Sequence, residues 1–127
     1  MTDWLARAIT YRFNLHLNQE TRHIVDERRL GLMKSTACLI NVARGGLVDE
    51  QALYRALVEN RLAGAASDVF DVEPADPNRP LLGLPNFLAT PHVAGVTDGT
   101  SRRSAACAAQ NLDRIAAGLE PLYRIDQ

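Results

Sequence analysis

The chain has 127 residues, 46% of them hydrophobic, and a formal net charge of -1 at pH 7, which suits one domain with a modest core. This charge balance gives no support for nucleic acid or an anionic membrane as a partner. No apolar run approaches the ~20 residues of a membrane-spanning helix, and the start lacks a secretory pattern. The two cysteines, Cys38 and Cys107, are far apart, so no metal-ligand spacing is present and a reducing, cytoplasmic location is expected.

The first third of the chain is predicted to contain a helix, a strand and a second helix. Residues 1–8 have apolar side chains at the spacing of a short amphipathic helix. These side chains belong to Trp4, Leu5 and Ala8. Residues 10–17 alternate between apolar and polar side chains, as a half-buried strand does. Asp26 is then expected to cap a short helix over residues 27–33.

The central stretch, residues 38–49, is predicted to run from a strand through a tight turn into a helix. Residues 38–42 are too short for a helix and include β-branched side chains. Gly45 and Gly46 allow the turn to adopt positive φ angles. Asp49 is placed to cap the helix that follows.

That helix carries an apolar stripe and is predicted to end over residues 61–64, where a cation precedes Gly64. Residues 65–70 form the next predicted strand. Their charged side chain is Asp68, whose burial would be costly without a partner. Residues 71–80 are rich in proline and indicate a loop.

The last third is predicted to contain a helical turn over residues 81–84, a strand over residues 87–90 and a long helix over residues 101–117. Thr97 to Thr100 supply capping residues for this helix. Its inward face is expected to consist of Ala105, Ala108, Ala109, Leu112, Ile115 and Ala116. The alternation of strands and helices predicts an α/β fold with a largely parallel sheet.

Three charged or ionisable side chains, Arg44, Glu73 and His92, come directly after three predicted strands. Small ligands of open parallel sheets bind beyond the carboxyl ends of the strands. An arginine can hold a substrate carboxylate with two parallel hydrogen bonds, and a histidine beside a carboxylate can exchange a proton with a carbonyl oxygen. Together they indicate hydride transfer between a 2-hydroxy acid and a 2-oxo acid. Taken singly, each also fits a surface ion pair, a loop acid or a turn residue.

Five segments resemble the nucleotide-binding domain of the D-isomer-specific 2-hydroxyacid dehydrogenases, a family that includes D-lactate, glycerate and phosphoglycerate dehydrogenases and hydroxypyruvate reductases. The segments are ETRHI (20–24), LMK (32–34), LINVARGGLVD (39–49), AASDVFDVEP (65–74) and TPHVA (90–94). The resemblance covers the whole chain. It implies a partial Rossmann-type, doubly wound parallel sheet, corresponding to the second mononucleotide-binding half, with a long C-terminal helix.

The resemblance also implies roles for individual residues. It makes Arg44, Glu73 and His92 the catalytic residues, NAD or NADP the cofactor, and a small 2-hydroxy or 2-oxo acid the substrate. Asp68 corresponds to the acceptor for the nicotinamide carboxamide. The implied cofactor-binding residues are Leu15, His16, Thr21, Val42, Ala43, Arg44, Asp68 and His92. The sequence departs from the family pattern at Ile9, Asn14 and His16, where aspartate, histidine and proline are usual.

Two parts of the family's enzymes have no counterpart in residues 1–127. They are the G-x-G-x-x-G turn, which binds the pyrophosphate, and the substrate-binding domain. The expectation is therefore a partial NAD(P)-binding domain whose unpaired apolar strand edge favours a homodimer or higher self-association. The alternative is a catalytically inactive, truncated remnant that acts only as a self-associating or partial nucleotide-binding domain.

Overall fold

A four-stranded parallel sheet organises the first part of the molecule in the computed structural model, which describes residues 5–124. The strands pair in the order of the sequence, so β1 and β4 lie at the two edges. Their bounds are β1 Thr10–Phe13, β2 Cys38–Asn41, β3 Gly64–Ser67 and β4 Phe87–Ala89. The predicted α/β class with a parallel sheet is confirmed. The chain divides into two compact units, Met1–Ala94 and Gly95–Gln127, and the sheet belongs to the first.

Two α-helices connect the strands, and both begin at the predicted caps. Helix α1 (Glu27–Leu30) follows Asp26, which accepts a hydrogen bond of 2.8 Å from the Arg29 N–H. Helix α2 (Glu50–Val58) follows Asp49, whose carboxylate accepts two backbone N–H groups at 3.0 Å each. Short 3₁₀ turns at Gly45–Leu47 and Pro80–Gly83 complete the connections.

The hydrophobic core is built by β1, β2, the two connecting helices and the loops around them. Its large, fully buried side chains are Leu30, Leu39, Leu47, Leu57, Leu62 and Val69. Burying one such side chain stabilises the fold by roughly 1.5–3 kcal/mol. The core therefore fixes the strand ends from which the candidate site is built.

Several predicted elements are shorter in the structure. Residues 5–7 form a turn rather than the end of a helix, and residues 1–4 of that prediction lie outside the described residues. Strand β1 ends at Phe13 instead of residue 17 because the chain leaves the sheet for a loop that hydrogen-bonds to itself. In that loop the Thr21 hydroxyl donates to the His16 carbonyl at 2.8 Å. Helix α1 likewise ends at Leu30, where Gly31 N–H bonds the Glu27 carbonyl.

The predicted end of the second helix is wrong. Helix α2 ends at Val58, and Asn60 adopts the left-handed conformation, with φ of 53°. Gly64, which the sequence analysis assigned to the helix end, instead begins β3 and pairs with Cys38. Asparagine tolerates positive φ better than most residues, which explains why the helix ends without a glycine.

The second unit contains helix α3 (Asp98–Ala116), which begins with the predicted cap as a Thr97–Thr100 capping box. Throughout Asp98–Ala116, all of it described, no side chain is buried, so this unit by itself does not bury the predicted inward face. Leu112 and Ile115 are 69% and 59% exposed. The described part of this unit is one helix with flanking turns, and it has no second layer of its own to cover the stripe. Within residues 5–124, no helix combines the length and apolar character needed to cross a bilayer.

Candidate active site

The structure brings Arg44, Glu73 and His92 together at the carboxyl ends of neighbouring strands. Arg44 follows β2, Glu73 lies in the loop after β3, and His92 follows β4. All three side chains line one cavity of ≈ 340 Å³. Parallel strands present their carboxyl ends at the same edge of a sheet, which explains why residues 48 positions apart share a site.

Glu73 and His92 form a hydrogen-bonded pair. The His92 Nδ1 atom lies 2.7 Å from Glu73 Oε2, and the two side chains are 50% and 36% exposed. The other carboxylate oxygen, Oε1, accepts the Phe70 N–H at 2.8 Å. These contacts lower the pKa of Glu73, the hydrogen bond with His92 contributing most. Since an ionised carboxylate only accepts, Nδ1 carries the hydrogen and Nε2 is the ring atom left for a ligand.

The loop that carries His92 is fastened by Asp68, which is only 4% exposed. Its carboxylate accepts hydrogen bonds from the Thr90 hydroxyl at 2.5 Å and from the Val93 and Ala94 N–H groups at 2.8 Å each. Burial raises the pKa of Asp68, but these hydrogen bonds and the neighbouring His92 outweigh it, so the pKa is lowered overall. The partner that a buried Asp68 requires is therefore the loop on both sides of His92.

The backbone of His92 lies in the left-handed region, with φ of 57°. Histidine enters this region more readily than most residues other than glycine, yet such a conformation costs about 1–3 kcal/mol when the surroundings impose it. The three hydrogen bonds to Asp68 supply that constraint. The loop thus presents the imidazole in one fixed place.

The Arg44 turn is held by Asn41, a buried polar residue at the end of β2. The Asn41 side chain donates to the Arg44 carbonyl at 2.9 Å and accepts the Ala43 N–H at 3.2 Å. The Arg44 guanidinium itself donates to the Ala43 carbonyl at 2.6 Å. Sequence reasoning missed Asn41, although an amide at the end of an otherwise apolar strand was a usable signal.

Gly45 and Gly46 do not have the predicted positive φ angles. Gly45 is needed for a different reason, because a Cβ atom there would lie 2.0 Å from the backbone carbon of Phe70. The turn after Arg44 therefore packs backbone to backbone against the turn before Glu73. This contact joins two of the three site residues.

A second cavity, of ≈ 320 Å³, shares Arg44 with the first. Its lining consists of Asn14, Leu15, His16, Val42, Ala43 and Arg44, which include five of the residues predicted to bind the cofactor. Two more, Asp68 and His92, line a third cavity of ≈ 360 Å³ that Glu73 also borders. Thr21 instead shapes the loop after β1, where its hydroxyl bonds the His16 carbonyl.

The arrangement combines a cation, an anion and a titratable ring at one rim of the sheet. The charge of Arg44 also contributes to lowering the pKa of Glu73, so the two groups are within electrostatic reach. Such a set can hold a small carboxylate and exchange a proton with an oxygen beside it. It can do this without a metal ion because the guanidinium supplies the positive charge.

Comparison with known proteins assigns the chain to a family. Residues 1–94 match the model of the D-isomer specific 2-hydroxyacid dehydrogenase, NAD binding domain, and this match ends where the first compact unit ends. A glyoxylate reductase of Aeropyrum pernix is 44% identical over 121 residues, which are 95% of this chain and 36% of that protein.

Solved structures agree. A D-isomer specific 2-hydroxyacid dehydrogenase from Xanthobacter autotrophicus Py2 has a TM-score of 0.86 and 39% identity, covering 95% of this chain and 40% of that one. Another structure of a D-isomer specific 2-hydroxyacid dehydrogenase from that organism, in complex with NADPH and MES, has a TM-score of 0.77 and 39% identity, covering 96% and 50%. The chain spans 36% of the archaeal reductase. The chain belongs to the D-isomer specific 2-hydroxyacid dehydrogenase family, and it matches that family through the NAD-binding domain.

Proposed function

We propose that this chain carries the acid–base and nicotinamide-side part of an NAD(P)-dependent oxidoreductase that interconverts D-2-hydroxy acids and 2-oxo acids. The observation that carries the proposal is the single cavity lined by Arg44, Glu73 and His92, with His92 Nδ1 on the Glu73 carboxylate. The glyoxylate reductases among its relatives favour glyoxylate as the first substrate to test.

In the proposed reduction, Arg44 binds the carboxylate of the 2-oxo acid through two parallel hydrogen bonds. His92 donates its Nε2 proton to the keto oxygen, and the carbonyl carbon then accepts a hydride. Glu73 keeps the ring in one orientation and stabilises the imidazolium before that transfer. In the reverse direction neutral His92 takes the hydroxyl proton.

The cofactor site is proposed at the second cavity, beside Arg44. Leu15, Val42 and Ala43 offer apolar surface there, while Asn14 and His16 add polar groups, a mixture that suits a flat ring with polar substituents. When bound, the reduced nicotinamide supplies the hydride. The proposed contacts are Leu15, His16, Thr21, Val42, Ala43, Arg44, Asp68 and His92, and Thr21 acts through the loop it holds.

The activity test uses reduced NADH or NADPH with glyoxylate and follows the loss of nicotinamide absorbance. We expect turnover in the unmodified chain and in His23→Asn, and none in His92→Asn. His23 is a matched control because it also has positive φ, 50° against 57° for His92, and asparagine tolerates that conformation. The comparison therefore separates loss of the imidazole from a change in backbone preference.

Substrate binding is tested separately with oxamate, a carboxylate with an adjacent carbonyl that is not reduced, followed by NMR. Arg44→Met should weaken oxamate binding about tenfold or more, since it removes the bidentate cation. Oxamate binding without turnover would favour the inactive-remnant alternative. A folded chain that shows neither turnover nor Arg44-dependent oxamate binding would refute the proposed function.

The open edge of β1 supports a proposal about domain organisation. Among the described residues, 5–124, strand β1 has a neighbour on one side only. A cavity of ≈ 590 Å³ beside it is lined in part by Tyr11, Phe13 and Met33. We propose that residues 1–127 form part of an NAD(P)-binding domain whose glycine-rich half covers this edge. Self-association through the same edge is the alternative, and a monomer in light scattering at high concentration would exclude it.

A further inference from the structure

Glu50, the first residue of α2, connects the helix to the loop that carries Glu73. One of its carboxylate oxygens, Oε2, pairs with the Arg79 guanidinium, and the two side chains are only 25% and 21% exposed. The other, Oε1, accepts the Asp71 N–H at 3.3 Å. A partly buried pair of this kind is screened less by solvent than a surface pair. Both oxygens of Glu50 therefore act on the loop between β3 and residue 80.

Glu50 and Glu73 accept hydrogen bonds from adjacent backbone N–H groups, those of Asp71 and Phe70. Asp71 follows Phe70, whose N–H donates to Glu73 Oε1 at 2.8 Å. The Arg79 guanidinium also lies 5.8 Å from the centre of the buried Phe70 ring, within the range of a cation–π contact. Glu50 thus contacts the Asp71 N–H, and Arg79 contacts the ring of the preceding residue, Phe70.

We propose that Glu50 is a positioning residue, which together with Arg79 keeps the Phe70 N–H aimed at the Glu73 carboxylate. The relevance of this role to catalysis rests on the proposed function, but the contact itself does not. The hydrogen bond from Phe70 is the second largest cause of the lowered pKa of Glu73, so the titration of Glu73 reports on it directly.

The test measures the pKa of Glu73 by carbon-13 NMR in the full chain carrying Glu50→Ala or Glu50→Gln. Removing the negative charge of Glu50 lowers the pKa of a nearby carboxyl group, and both variants share this effect. Glutamine keeps one oxygen to accept the Asp71 N–H, whereas alanine releases both the Asp71 N–H and the Arg79 side chain. The loss of both contacts weakens the Phe70 hydrogen bond and raises the pKa of Glu73. We therefore expect a higher pKa in Glu50→Ala than in Glu50→Gln. An equal or lower value in folded Glu50→Ala overturns the proposal.

Arg79→Met provides a second, independent measurement that stands if Glu50→Ala does not fold. Hydrogen exchange of the Phe70 amide should accelerate about tenfold or more in this variant, because local opening of the loop becomes easier. The matched control is Glu59→Ala, which removes the Glu59–Arg61 ion pair at the opposite end of the same helix and should leave Phe70 exchange unchanged. Unchanged Phe70 exchange in Arg79→Met refutes the role. Neither measurement depends on turnover, so a failure here differs from a failure of the proposed function.

Discussion

Gly45→Ala should strongly destabilise the protein and separate Arg44 from Glu73. The added Cβ would lie 2.0 Å from the Phe70 carbon and 2.3 Å from the Asp71 nitrogen, whereas ordinary contacts begin at 3.4 Å. The two backbones must therefore move apart by about 1.4 Å (3.4 less 2.0). Overpacking costs typically 1–3 kcal/mol, and because both partners here are backbone rather than flexible side chains, we expect about 3 kcal/mol or more.

The free energy of unfolding is measured by urea titration with a constant slope as the check on two-state behaviour. Gly83→Ala is the matched control, because a Cβ there has nothing within 4 Å and should change stability by less than about 1 kcal/mol. If the free energy of unfolding of Gly45→Ala lies within about 0.5 kcal/mol of that of the unmodified chain, the close contact of the two turns is not a constraint on the fold. A misplacement of about 1 Å can also cost 10²-fold in rate, so activity should fall even in the folded fraction.

Three further variants test the contacts around the site by urea unfolding. Asp68→Asn should cost about 2 kcal/mol at pH 7 through lost charge-assisted hydrogen bonds. The pKa of Asp68 is lowered from its ordinary 3.8, so Asp68 contributes fully to the free energy of unfolding above that pH and loses this contribution as the pH falls through the folded-state pKa. If the free energy of unfolding of Asp68→Asn depends on acid pH in the same way as that of the unmodified chain, this explanation is wrong. Glu73→Gln should cost less than about 1 kcal/mol, since the His92 pair is half exposed, while removing the proposed activity; a larger loss would indicate a structural role. Asp49→Ala should cost about 1 kcal/mol through the lost helix cap, and no loss would show that the cap is dispensable.

The convergence of Arg44, Glu73 and His92 could be predicted because it follows from topology alone. Once residues alternate between strands and helices, the strands are parallel and their carboxyl ends share one rim. Helix caps were equally predictable, since Asp26 and Asp49 act on N–H groups two or three residues away. Such capping hydrogen bonds join residues that are close in the sequence, so the sequence alone indicates them.

The contacts that fix the site could not be predicted, because they join residues far apart in the chain. Asp68 binds the loop of His92 across more than 20 residues, and Glu50 reaches Arg79 across 29. Gly45 resembles an ordinary turn glycine in the sequence, and only the approach of Phe70 gives the real reason for it. The apolar stripe of α3 is the opposite case. Periodicity identifies an apolar helix face, but it does not show which surface packs against that face.

The backbone contact between Gly45 and Phe70 has a consequence for ligand size. With no side chain between them to adjust, the two turns keep a constant separation between the backbone that carries Arg44 and the backbone that precedes Glu73. In the proposed reaction one end of the ligand meets the cation and the reacting oxygen meets the ring, so the number of carbons between these groups is restricted. In a 3-oxo acid the reacting oxygen lies one carbon farther from the carboxylate, so it would be a poor fit for both contacts at once, and the proposed reaction would select acids by the spacing of these two groups.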